Sequence, residues 1–429
     1  MSGENTIPAR SAGIVFSPNI LVIPMLNPYL LMVVLFSALA ALAALDASMA
    51  SLGLLPFLSG LRWLRVHFIT LGVVTEAVFG LAAALVAARS TLARPKTRWD
   101  IWILLNGGLL ILLVGIPLIN QALILAGGTL VFGAAALLIH QLAGLRQTSA
   151  DGALRQSGRR FFIAGLSFLL LGIFVGTGLW LGWPEAFRIQ TPLEVHIHAN
   201  SWGFMSLTFA GLIVALYPDF AGRSLAWPRS ISPIFWMMSG GAFGLVLGPW
   251  FNLEFFTVAG IALHLPATVW LLVNVIKPLS RDSGLWRRPG VWHLITSYAW
   301  ILAPVLVAPL ILLKVPGFPG AGVEQSAPQA LIYGWVLQFS YALVPYLFAR
   351  AFRPGQRATL GGSWFSLILV HLGGIFLWAS IFITGLQPVL FGAAYFLWAL
   401  SLIPIALGLW RVVSGAANAL ESKLEPVTN

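Results

Sequence analysis

Two stretches share one register: HFITLGVVTEAVFG, His67–Gly80, and HANSWGFMSLTFAG, His198–Gly211. Each opens on a histidine, reaches a glycine five residues later and another eight beyond that: His67, Gly72, Gly80 and His198, Gly203, Gly211. The offset is 131 residues, and a second step of the same size lands on Gln329, Gly334 and Ala342 in QALIYGWVLQFSYA. Small residues at such sites let helices approach closely in a membrane. Arginine pairs, Arg159–Arg160 and Arg287–Arg288, lead into the second and third copies. The chain therefore reads as three four-helix units, 20–148, 149–279 and 280–413, between a cytoplasmic N-terminal tail, 1–19, and a cytoplasmic C-terminal tail, 414–429.

Composition says what surrounds these units. Of 429 residues 59% are hydrophobic and 9% charged, with a mean hydropathy of +0.90. Soluble domains carry roughly 45–50% apolar and about 25% charged residues. The excess falls into blocks of about 20 residues, the length of a helix that crosses the hydrocarbon. Twelve spans follow, at about 20–44, 66–88, 101–119, 121–143, 161–183, 194–217, 231–252, 254–276, 290–313, 328–350, 360–384 and 387–410. The expected fold is an all-α polytopic membrane bundle whose partner is the lipid bilayer.

The net charge of +11 is a topology signal. All but four of the 24 Lys and Arg (Arg62, Arg65, Arg188 and Lys314) fall on the side that holds both termini. Cationic loops stay in the cytoplasm, so a multi-pass protein of the plasma membrane with both termini inside is expected, not a nucleic-acid binder. No cysteine is present, which excludes disulfides and thiolate metal sites. The first 19 residues lack the core of a signal peptide, so the first span is expected to be retained. The polar stretch SGAANALESKLEPVTN is expected to hang loose beyond the membrane.

Residues two apart on a regular helix point about 200° away from each other, so His196 and His198 cannot share one site. The repeat position belongs to His198, which is expected to face the bundle interior while His196 faces a neighbour or the outer water. Interfacial histidines satisfied by water or backbone carbonyls are the alternative for both.

Three four-helix units with a histidine at the outer end of the second helix resemble the heme–copper oxidase subunit I superfamily. VHFITLGVVTEAVFG and HIHANSWGFMSLTFAGLIVALYP resemble the histidine-bearing helices of its cbb3-like and NnrS-like relatives, and ALIYGWVLQFSYALVPYLF is similar to their matching third helix. The resemblance implies a subunit I-like bundle with heme b, and copper as a further cofactor. His67 would be an axial heme ligand and His198 a copper ligand. It also implies the respiratory chain, with electron transport or nitric-oxide chemistry and a cytochrome or other respiratory subunit as partner on the outer face. The departures are large. The tenth span, expected to ligate both hemes, has Gln329, Tyr333 and Gln338 and no histidine, and the seventh lacks the adjacent histidine pair for copper. The imidazoles that oxygen reduction needs on iron and copper are missing. Any oxidoreductase role must dispense with the usual centre.

Few other ionisable groups enter the spans, and each is a functional candidate. Glu76 lies nine residues after His67, about 13 Å deeper on a regular helix, and is either a proton relay or a protonated, hydrogen-bonded carboxyl. His264 and His371 sit near mid-membrane, where each needs a partner: heme iron or a core hydrogen bond, for His264 through the carbonyl freed by Pro266. His293 and His140 are expected at the interface. Phosphate loops, dinucleotide fingerprints and HExxH are absent. Two classes of function remain, a heme-binding redox protein with His67, His198, His196, His371 and His264 as candidate ligands, and a cofactor-free transporter or accessory scaffold.

Overall fold

The computed structural model describes residues 27–56, 59–89, 92, 95–145, 157–279, 284–352 and 358–424. Among these the chain is helical and contains no strand. The principal helices are α1 (Pro28–Ser51), α2 (Trp63–Arg89), α3 (Trp99–Gly115), α4 (Gln121–Gly144), α5 (Gly158–Leu181), α6 (Pro192–Ala221), α7 (Pro228–Phe251), α8 (Glu254–Ile276), α9 (Pro289–Leu312), α10 (Gly320–Arg350), α11 (Trp364–Phe382) and α12 (Thr384–Gly415). Eleven are long and apolar enough to cross a membrane; α3 is apolar but spans only 17 residues. Large apolar side chains such as Leu31, Phe255, Leu306 and Trp410 point outward, as a protein surrounded by lipid requires. The protein is a polytopic helical membrane protein.

Several boundaries differ from the sequence reading. The first helix starts at Pro28, not near 20, because Asn27 caps it by accepting the Tyr29 N–H at 3.1 Å; residues 20–26 and the tail 1–19 lie outside the described residues. It runs on to Ser51, and its Asp46 pairs with Arg65 of α2 at 3.1 Å. The third helix stops at Gly115, short of 119, and Ile119 takes a left-handed conformation at φ 51°. The tenth begins eight residues early, at Gly320. The last helix continues to Leu424, so most of the stretch expected to be loose is helical.

The repeat governs the packing. In each unit the third and fourth helices form a hairpin: α3 with α4, α7 with α8, α11 with α12. The first helix of each unit packs on the second, and one contact recurs three times. Gly72 faces Phe36, Gly203 faces Phe168 and Gly334 faces Trp300, each so closely that an added Cβ would overlap the ring. The second helices α2, α6 and α10 form the centre, their apolar windows 61%, 89% and 83% buried against at most 50% for any other span. Each winds as a π-helix at the same place, Phe68–Thr75, Ala199–Met205 and Leu331–Leu337. The α12 helix packs against α1, bringing the last unit back to the first.

The central trio is tied at one end by charge. Asp219 of α6 pairs with Arg89 of α2 at 2.9 Å and with Arg350 of α10 at 3.0 Å. Arg350 also donates to the Tyr346 hydroxyl at 2.9 Å. This end also holds Arg98 and Arg223 and is called the basic end below. The opposite end carries His67, His196 and His198.

Candidate functional site

The deciding geometry lies at the opposite end, where α2, α5 and α6 meet. The rings of His67 and His196 lie 6.3 Å apart, centroid to centroid, with planes 30° apart. Trp63 stacks on His67 at 4.1 Å. Gly172 and Gly176 on α5 open the groove that accepts α6: a Cβ on Gly176 would strike the His196 ring and one on Gly172 would strike Asn200. Asn200 in turn donates to the His196 carbonyl at 2.8 Å.

Hydrogen bonds fix the tautomer of these rings. Nδ1 of His67 lies 2.7 Å from the Trp63 carbonyl, Nδ1 of His196 lies 2.8 Å from the Gly172 carbonyl and Nδ1 of His198 lies 2.7 Å from the Leu245 carbonyl. A carbonyl only accepts, so in each neutral ring Nδ1 carries the proton and Nε2 keeps its lone pair. No described residue hydrogen-bonds to any of the three Nε2 atoms. An imidazole held through Nδ1–H by a backbone carbonyl is the usual state of a metal ligand.

His196 and His198 do point to different neighbours, as two residues two apart should. It is His196 that meets His67, while His198 turns to the Leu245 carbonyl on α7. The repeat position does not decide the pairing, because the Gly172–Gly176 groove on α5 receives His196.

The deep histidines are closed. His264 sits with Nε2 3.2 Å from both the Ser206 hydroxyl and the Trp202 carbonyl, and Nδ1 3.2 Å from the Thr268 hydroxyl. On α11, His371 accepts the Trp300 indole N–H at Nδ1, 3.1 Å. Its Nε2 lies 2.8 Å from the Thr296 hydroxyl and 3.1 Å from the Gln338 amide. Both nitrogens of each ring are engaged, so neither is free to bind a metal as placed. The freed carbonyl near Pro266 is not the partner of His264. His293, four residues into α9, is fully buried, its Nε2 shared by the Ser363 carbonyl and the Ser366 hydroxyl. His140 is exposed near the end of α4. Gln329, at the third repeat position, accepts a short hydrogen bond from Tyr395, and Tyr333 donates to the Arg65 carbonyl at 3.0 Å.

The residues around His67 do not fit a heme. Sites for organic ligands of that class occupy about 300–1,000 Å³. The cavity touching His67 measures about 10 Å³ and is lined by Phe36, Phe68, Leu71, Leu109 and Leu113. A second cavity, between α2, α6 and α10, is apolar and about 30 Å³. No group of three or more His, Cys, Asp or Glu converges among the described residues, so His198 does not complete a three-ligand centre with the pair.

Trp63, Gly172 and Gly176 are positioning residues that the sequence reading passed over. The signal for Gly172 and Gly176 was their four-residue spacing, a small-residue groove, opposite His196 and Asn200 with the same spacing. No family model matches the chain, and no curated protein matches it.

Proposed function

We propose that the chain is a degenerate relative of heme–copper oxidase subunit I that holds a single copper ion between His67 and His196 and serves electron transfer or copper handling, not oxygen reduction. The observation that carries this reading is the spacing of the two rings. A metal bound at about 2.0–2.1 Å by an imidazole nitrogen lies roughly 3.2 Å from the ring centroid, so two imidazoles on opposite sides of one ion stand about 6.4 Å apart. His67 and His196 stand 6.3 Å apart. The same spacing would suit the axial ligands of a heme, and space separates the two, since an ion needs no cleft. Imidazole suits copper, and structural zinc calls for four ligands. A cuprous ion is content with two. Bound copper would supply one-electron redox chemistry. The protein's own part would be to hold both Nδ1–H groups on carbonyls, leaving each Nε2 lone pair unspent, and to screen the pair with Trp63 and Phe36.

The test is metal analysis and an absorption spectrum of the purified full chain. This reading expects about one copper per chain and no Soret band. A Soret band of one heme per chain overturns it. A colourless protein that takes up no copper supports the second reading, a cofactor-free transporter or accessory scaffold, which is favoured by the closed networks around His264 and His371 and by the small cavities.

A further inference from the structure

Glu76 stands where α2 leaves its π-helical stretch, and it is fully buried. Neither carboxylate oxygen has a hydrogen-bond partner among the described residues. Asn106 of α3, itself 4% exposed, stands beside it as a hydrogen-bonding neighbour, too poorly placed to satisfy either carboxylate oxygen fully. The Asn106 amide nitrogen is turned to the Trp102 carbonyl at 3.1 Å, which leaves Asn106 Oδ1 unpartnered, as is the Trp102 indole nitrogen. Unpartnered polar atoms thus gather on one side of α2, inside an apolar bundle.

An ionised carboxylate in such a place would go uncompensated, so the group is held neutral. A carboxyl kept for architecture would spend its hydroxyl and carbonyl on well-aligned partners, and among the described residues Glu76 has only the loosely placed Asn106. The backbone around it is also irregular: its N–H is shared by the Gly72 and Val73 carbonyls, and π-turns inside helices cluster at functional positions. One polar side chain stands between it and one face. Tyr29 of α1 packs against α2 at Gly80, about one turn from Glu76 toward the basic end, and its hydroxyl donates to the Arg98 carbonyl at 3.2 Å. Arg98 pairs with Asp100 at that edge.

We infer that Glu76 is a proton-binding site inside the membrane, loaded from the basic end along Tyr29 and the Arg98–Asp100 edge, with Asn106 as its switching partner. The step is binding and release of one proton at a carboxylate oxygen, with no bond to carbon changed. Few other charges bear on it. Tyr29 comes from α1, Asp100 and Arg98 from α3 and its approach, and His67 and Arg89 from the two ends of α2. Asp219 and Arg350 stand at the ends of α6 and α10, and α4 carries only the exposed His140. The site does not depend on the copper reading.

The experiment uses the full chain in liposomes treated with dicyclohexylcarbodiimide, which adds to protonated carboxyls in apolar surroundings, followed by peptide mass analysis. An adduct on the Glu76 peptide is expected, forming faster as pH is lowered and lost in Glu76→Gln. A protonated-carboxyl infrared band that shifts in heavy water and vanishes in the same variant is the parallel readout, independent of reagent access. Tyr29→Phe should slow the heavy-water shift while leaving the band in place. Protection by sodium ions without pH dependence would mark a metal-cation site and overturn the inference. So would the absence of both the adduct and the band.

Discussion

The histidines at the end opposite the Asp219 clamp and those at mid-depth differ in one respect that decides what each can do. His67, His196 and His198 each spend one nitrogen on a backbone carbonyl. His264 and His371 spend both, on Ser206, Trp202 and Thr268 in one case and on Trp300, Thr296 and Gln338 in the other. Depth alone would point to the second group, since a buried imidazole needs a partner. The lone pairs point to the first. A buried imidazole is a ligand only if the protein leaves it a nitrogen, and here the deep rings have become struts between helices.

Several substitutions sharpen that contrast, and the largest effect belongs to neither group of histidines. Asp219→Ala leaves Arg89 and Arg350 facing each other in a largely buried setting, and removing one partner of a buried ion pair costs about 3–5 kcal/mol. These side chains keep 24% and 19% exposure, so the lower end, about 3 kcal/mol, is expected, read as a fall in thermal midpoint in detergent. A change below about 0.5 kcal/mol would show that the clamp does not hold the trio together.

Next in size are the repeat glycines. Gly203→Val drives a branched side chain into Phe168 and should cost about 1–3 kcal/mol through overpacking, with Gly72→Val close behind against Phe36. The partner swap Phe168→Ala should rescue part of the Gly203→Val loss. Lack of rescue would mean that the ring is not what the glycine accommodates.

His371→Ala strands the Trp300 indole, while Thr296 keeps the Trp292 carbonyl and the Gln338 amide, and a buried polar group left unsatisfied costs about 1–3 kcal/mol. The thermal midpoint should fall and copper content should hold. His67→Ala loses one carbonyl hydrogen bond, worth about 0.5–1.5 kcal/mol, together with the stack on Trp63, and should behave in the opposite way: a modest fall in stability and no copper. Tyr395→Phe, which removes the hydrogen bond to Gln329, should cost about 1 kcal/mol.

Much of the architecture was legible. The register of Gly72, Gly203 and Gly334 marked three central helices before any packing was known, because a glycine kept against an aromatic ring is a local, countable feature. The clamp could have been read as well: Asp219 and Arg350 lie 131 residues apart, the repeat step itself. The π-helical turns could not, since their composition is that of ordinary apolar helix. The pairing of His196 with His67 was hidden for a related reason. Helical periodicity says that His196 and His198 diverge, but which of them meets α2 depends on where α5 places Gly172 and Gly176. For His264 and His371 the sequence showed two deep imidazoles and gave no sign that Thr268, Thr296 and Trp300 would close around them.

The most direct measurement is copper content across single alanine variants of the five histidines, each purified intact and loaded with copper under the same conditions. The account predicts loss of bound copper in His67→Ala and in His196→Ala alike, and retention in His198→Ala, His264→Ala and His371→Ala. Retention in His196→Ala together with loss in His198→Ala would contradict it and return the site to the repeat position.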